Sequence, residues 1–102
     1  MVEIDRYDAL GYVSKMLEGM SPGNTMTPEE IRRNAALALD LDIAFMKGSG
    51  VFDGDEYDDN AAFEYISRNL ARYEIDESFI EDYMEAMESY LEKNSIISWD
   101  GK

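Results

Sequence analysis

The sequence predicts an all-α fold: a compact four-helix bundle-like domain with short connections and an apolar C-terminal tail. Three observations predict it. Apolar residues recur at intervals of three and four along most of the chain. One helix start, Thr27-Pro28-Glu29-Glu30, is written out in full by capping residues. Breaker residues divide the chain into four such segments, with connections of about ten residues at most. The 102 residues are 45% hydrophobic, enough for one core, so residues 1–102 read as a single helical domain.

The first helix spans about 5–20. Ile4, Tyr7, Leu10, Val13, Leu17 and Met20 form its apolar stripe, and Asp5 is its N-cap. Gly11 lowers helix propensity, and close approach of a neighbouring helix is the expected reason for it. Ser21-Pro22-Gly23-Asn24 ends the segment. The second helix spans about 28–47. Thr27 at the N-cap, Pro28 at the first helical position and Glu30 at the third make a capping box, with Met26 and Ile31 placed as a hydrophobic staple. The run from Ala35 to Met46 is apolar almost all round, which predicts the central, buried helix. Asp40 and Asp42 interrupt it. Gly48-Ser49-Gly50 ends it, and an acidic loop leads to the third helix, about 60–73, with Phe63, Ile66, Leu70 and Tyr73 on one face. Asp58, Asp59 and Asn60 are its candidate caps. The fourth helix, about 77–93, follows an Asp76 cap. Its buried stripe is Ile80, Tyr83, Met84, Met87 and Leu91, and Asn94 ends it. The tail Ile96-Ile97-Ser98-Trp99 is expected to dock on the bundle.

Charge narrows the function. Twenty-three acids face 9 bases, a net charge of −14, and the halves differ: −3 over residues 1–52 and −11 over 53–102. Phosphate contacts need Lys and Arg, so direct nucleic-acid binding and anionic lipid are disfavoured. With no Cys, disulfides and thiolate metal sites are excluded, and with no His the usual general base near neutral pH is missing. Neither a glycine-rich phosphate loop nor a nucleophile elbow occurs. An enzyme is therefore not expected, and no cofactor is implied. The charged opening residues do not resemble a signal peptide, and no run reaches the roughly 18 apolar residues of a membrane span, so a cytoplasmic location is expected.

Three constellations are candidates for function. Glu77, Glu81, Glu85, Glu88 and Glu92, spaced 4, 4, 3 and 4, fall on one stripe of the fourth helix. Like charges at this spacing oppose the helix that carries them, and its C-terminal end already carries a negative dipole. A local cost without local gain marks a candidate surface for a basic partner. Their separation of about 6 Å along the helix also approximates that of successive phosphates, the geometry of a nucleic-acid mimic. A plain solvated face is the alternative.

The second constellation is the loop Asp53, Asp55, Glu56, Asp58 and Asp59. Read as a twelve-residue calcium loop it runs from Asp53 to Glu64, but Asp58 stands where the sharp turn needs Gly, and Tyr57 is a poor ligand at the fifth position. The third is Asp40 with Asp42, two residues apart and thus on different sides of the helix, with Arg32, Arg33, Arg68 and Arg72 as available partners. Both read as exposed or Arg-paired acids. Arg68 and Arg72 also stand one turn from Glu64 and Asp76, a pattern of intrahelical pairing. The methionines read as core filling.

These observations predict a small acidic, non-enzymatic binding protein. Its helix stripe and acidic loop would engage a basic protein, as an inhibitor, an immunity protein or a nucleic-acid mimic does, with Phe52, Tyr57, Tyr90 and Trp99 as anchors. A calcium-binding protein and a self-associating assembly component are the alternatives.

Overall fold

The computed structural model describes residues 4–20, 26–51 and 56–94. Within them lie four helices: α1 (Arg6–Met20), α2 (Pro28–Ser49), α3 (Asp59–Leu70) and α4 (Glu77–Lys93). Each packs on its sequence neighbours, α1 also packs on α4, and the diagonal α2–α4 contact is slighter. This all-α bundle closes because each helix turns an apolar stripe inward. Among the described residues, no helix is long and apolar enough to cross a membrane.

The caps set the helix ends. The Asp5 carboxylate accepts from the amides of Tyr7 (3.0 Å) and Asp8 (3.2 Å). The capping box of α2 is complete: Thr27 Oγ1 accepts from the Glu30 amide at 3.1 Å, and the Glu30 carboxylate accepts from the Thr27 amide at 2.9 Å. The helix runs to Ser49, one turn of breakers notwithstanding. It stops at Gly50, whose φ of 82° is the left-handed conformation that glycine adopts without strain. Asp58 caps α3 by accepting from the Ala61 amide at 3.1 Å. The α-helix ends earlier than the periodicity implies. Ala71–Tyr73 tighten into a 3₁₀ turn, closed by Glu74 at φ 57°, so Tyr73 is swung out and 46% exposed. Asn94 ends α4 and returns its side-chain amide to the Tyr90 carbonyl at 2.8 Å.

The core is centred on α4 rather than on α2. Eight α4 residues are buried, Phe79, Ile80, Tyr83, Met84, Ala86, Met87, Tyr90 and Leu91, on a face that meets α1 and α3. On α2 the buried positions are Ile31, Ala35, Ala38, Leu39, Asp42 and Met46, while Leu37, Leu41, Ile43 and Phe45 are half-buried. Two expectations for α1 are corrected. Tyr7 is 78% exposed, since Ala9, Leu10, Val13, Ser14 and Leu17 carry the inward face. A Cβ at Gly11 would meet nothing within 4 Å, so no helix approaches there. The tail that follows Asn94 lies outside the described residues.

Candidate functional site

The N-terminal half of α3 and the middle of α4 border an open groove of about 560 Å³. Asp59 and Asn60 come from the first turn of α3, and Phe63 from the next. Glu81, Asp82, Glu85 and Glu88 come from successive turns of α4, with Met84 between them. Five carboxylates thus line one concavity, with Phe63 and Met84 as its apolar part and, among the described residues, neither Lys nor Arg in its wall.

The electrostatic consequence falls on Glu88. Its carboxyl is pushed up to about 7, first by burial, then by a hydrogen bond with Asp59 and by the charges of Asp59, Asp42 and Glu85. The groove therefore holds a proton near neutral pH in place of a cation.

The predicted stripe and loop converge here only in part. Glu81, Glu85, Glu88 and Asp59 line the groove. Glu77 and Glu92 are exposed on α4 outside it. Glu56 is exposed, and Asp58 is occupied as the α3 cap. Asp53, Asp55, Phe52 and Trp99 lie outside the described residues. Asp82, Asn60, Phe63 and Met84 were not singled out from the sequence as site residues. Asp82 follows Glu81 directly, but only the packing of α3 on α4 shows that both border the groove.

Two expected anchors are corrected. Tyr57 is 5% exposed and Tyr90 4%, so neither is available to a partner. The Tyr90 hydroxyl donates to Asp8 at 3.0 Å across the α1–α4 contact, and burial followed by that bond pushes the phenol up to about 12. Beside it, the hydroxyls of Tyr12 and Ser89 share a hydrogen bond of 2.9 Å, and the Lys93 ammonium lies 5.1 Å from the centre of the Tyr12 ring.

The expectation of exposed or Arg-paired acids holds for Asp40, though with another arginine, and is corrected for Asp42. Asp40 is paired with Arg6 of α1, its Oδ1 accepting from Nε at 2.6 Å and its Oδ2 from Nη2 at 3.1 Å, and not with Arg32, Arg33, Arg68 or Arg72. Arg6–Asp40 is the only ion pair among the described residues, so the expected pairs of Arg68 and Arg72 do not form, and Arg72 stacks on Tyr73 instead. Asp42 is wholly buried. Its Oδ1 accepts from the Tyr57 hydroxyl at 2.9 Å, and its Oδ2 from Tyr83 at 2.8 Å and Tyr57 at 3.2 Å. Burial pushes the Asp42 carboxyl up to about 6, against the opposing pull of the hydrogen bonds from Tyr83 and Tyr57. Both phenols are in turn raised by their own burial and by the charge of Asp42. A sequence signal existed: Ala35, Ala38, Leu39, Asp42 and Met46 share one helical stripe, and Asp40 falls off it.

Of the calcium-loop reading, the helix already starts at Asp59, the seventh position, and the side chain of the fifth, Tyr57, turns inward to Asp42. Among the described residues, no group of three or more acids is placed to hold a metal ion. In comparisons with protein-family models, curated proteins and solved structures, nothing matches this chain. Fold and groove define it as an acidic helical bundle with a carboxylate-lined cleft.

Proposed function

We propose that this is a non-enzymatic binding protein whose α3–α4 groove receives Lys or Arg side chains of a basic partner protein. The observation that carries the reading is the meeting of Asp59, Glu81, Asp82, Glu85 and Glu88 in one open groove that has no cation of its own among the described residues. A structural ion-pair network would neutralise such a cluster from within. A docking surface leaves it for the partner. Phe63 and Met84 offer the alkyl stem of a Lys or Arg an apolar surface while the carboxylates take its head. Long-range attraction from the net charge of −14 speeds encounter, and the groove supplies contact. An inhibitor or immunity role, or mimicry of a nucleic acid, fits this polarity, with a basic protein as the partner.

The test is affinity capture from lysate after nuclease treatment, at about 0.1 M and about 0.5 M salt, where screening lengths differ about twofold. The captured protein is then titrated against the wild type and against Glu81→Lys/Glu85→Lys. A basic protein that the double variant no longer binds supports the proposal. Equal affinity for both removes the groove from the account.

A further inference from the structure

We propose that Asp42, Tyr57 and Tyr83 form a proton-operated latch: a proton on Asp42 shuts the 56–58 segment onto α2 and α4, and its loss loosens that segment. The inference concerns the fold itself and stands apart from what the groove binds.

The geometry isolates a single weak point. Asp42 and Tyr83 sit in the middle of long helices and are wholly buried, so both are held in place by helix backbone as well as by packing. Tyr57 is different. It precedes α3, and among the described residues the backbone hydrogen bonds of its segment begin only at Asp58. Its side chain holds it, through the hydroxyl on Asp42 and through the ring, which meets Phe45 edge-on at 6.4 Å. Swinging Tyr57 outward is thus the least costly way to hydrate Asp42.

The charges around Asp42 offer its anion no relief. From α4 come Tyr83 and Glu88, from the segment before α3 Tyr57, from α3 Asp59, and from α2 itself Asp40. Besides the two phenols these are all carboxylates, Glu88, Asp59 and Asp40, so no cation is among them. The cation that α1 brings, Arg6, is held at the surface by Asp40. Two phenol hydroxyls therefore carry the whole task of stabilising the buried charge.

Linkage gives the direction. Exposed, the Asp42 carboxyl titrates at its ordinary 3.8, and buried at about 6. The shut state consequently holds its proton more tightly than the open, hydrated one. Opening is rarest below 3.8, grows more frequent as pH climbs from 3.8 to 6, and levels off above 6. Between pH 4 and pH 7 the expected rise in the open fraction is about fiftyfold.

Amide hydrogen exchange on the full chain tests this. The reporters are Ala61 and Ala62, whose amides bond to Asp58, and the reference is Leu17 in α1. Protection at the reporters should fall about fiftyfold from pH 4 to pH 7 and should stay below that of Leu17 throughout, because Leu17 exchanges only when the whole fold opens. Glu88→Gln should keep that slope, and Asp42→Asn should flatten it. Should Asp42→Asn not fold, the carboxyl carbon shift of wild-type Asp42 replaces it, and its midpoint must coincide with the plateau of the exchange profile. A pH-independent reporter, a slope that survives Asp42→Asn, separate midpoints, or reporters as well protected as Leu17 overturns the latch.

Discussion

Replacing Asp42 with Asn keeps the shape of the side chain and removes its buried charge. The wild-type carboxyl moves from 3.8 in the unfolded chain to about 6 in the core. Its folded pKa is raised, so the ionised group weakens the fold. That penalty is absent below 3.8, grows as pH rises through the interval to 6, and is fully present above 6. Between pH 4 and pH 7 the difference amounts to about 2 kcal/mol for this group. Asn brings its own cost, because its amide donors face two phenol hydroxyls, and an unsatisfied buried donor costs about 1–3 kcal/mol. That cost is the same at every pH and cancels when the two proteins are compared across pH, as do the titrations of carboxylates that do not feel Asp42; Glu88 does feel it, so both proteins carry Glu88→Gln. Urea unfolding followed by circular dichroism, on both proteins at pH 4, 5, 6 and 7, gives the quantity directly. The stability of Asp42→Asn relative to its Asp42 counterpart should rise by about 2 kcal/mol from pH 4 to pH 7. Parallel profiles would refute the reasoning, since they would mean that the core does not tax the Asp42 charge.

Three further predictions concern single sites. Gly11→Ala should stabilise the protein by about 0.5–1 kcal/mol in thermal unfolding, because the added methyl meets nothing and the helix gains propensity; a loss would mean a neighbour that the fold does not place there. Thr27→Ala should cost about 1 kcal/mol in the same assay through loss of the capping box. Glu88 should titrate near 7 by carboxyl carbon NMR. Because its raised proton affinity competes with a cation, a short oligolysine peptide should bind more weakly as pH falls through 7 and should release protons on binding near that pH. Affinity that ignores pH would remove Glu88 from the contact.

The helices were legible because their signals are local. The Thr27 box, the Asp5 and Asp58 caps, and Asn94 each act within one turn of the residue that writes them. The end of α3 was not legible in the same way. The apolar period continues to Tyr73, yet the chain must turn into α4, and the 3₁₀ turn with Glu74 left-handed makes that reversal. Asp40 and Asp42 show where pattern and composition part. As charges within an apolar run they look alike, but their phase on the helix sends one to Arg6 at the surface and the other to two tyrosines in the core. Those tyrosines lie 15 and 41 residues away, distances that no period within one helix reaches. The groove has the same character. Glu81, Glu85 and Glu88 were visible as a stripe, whereas their meeting with Asp59 is a product of α3 packing on α4. Tyr57 and Tyr90 were misjudged because an aromatic flanking an acidic stretch looks like an anchor until its hydroxyl partner is known.

The central claim is that the carboxylates of the α3–α4 groove, and not acidity at large, engage a basic protein. Two double variants with the same change in net charge separate these: Glu81→Lys/Glu85→Lys in the groove, and Glu18→Lys/Glu29→Lys on exposed turns of α1 and α2. Isothermal titration of each against the captured partner at about 0.15 M salt, where charges beyond roughly 8 Å are screened, is the most direct measurement. The account predicts that the groove variant loses binding while the α1–α2 variant keeps most of the wild-type affinity. Equal weakening of the two would contradict it and reduce the groove to one part of a diffusely acidic surface.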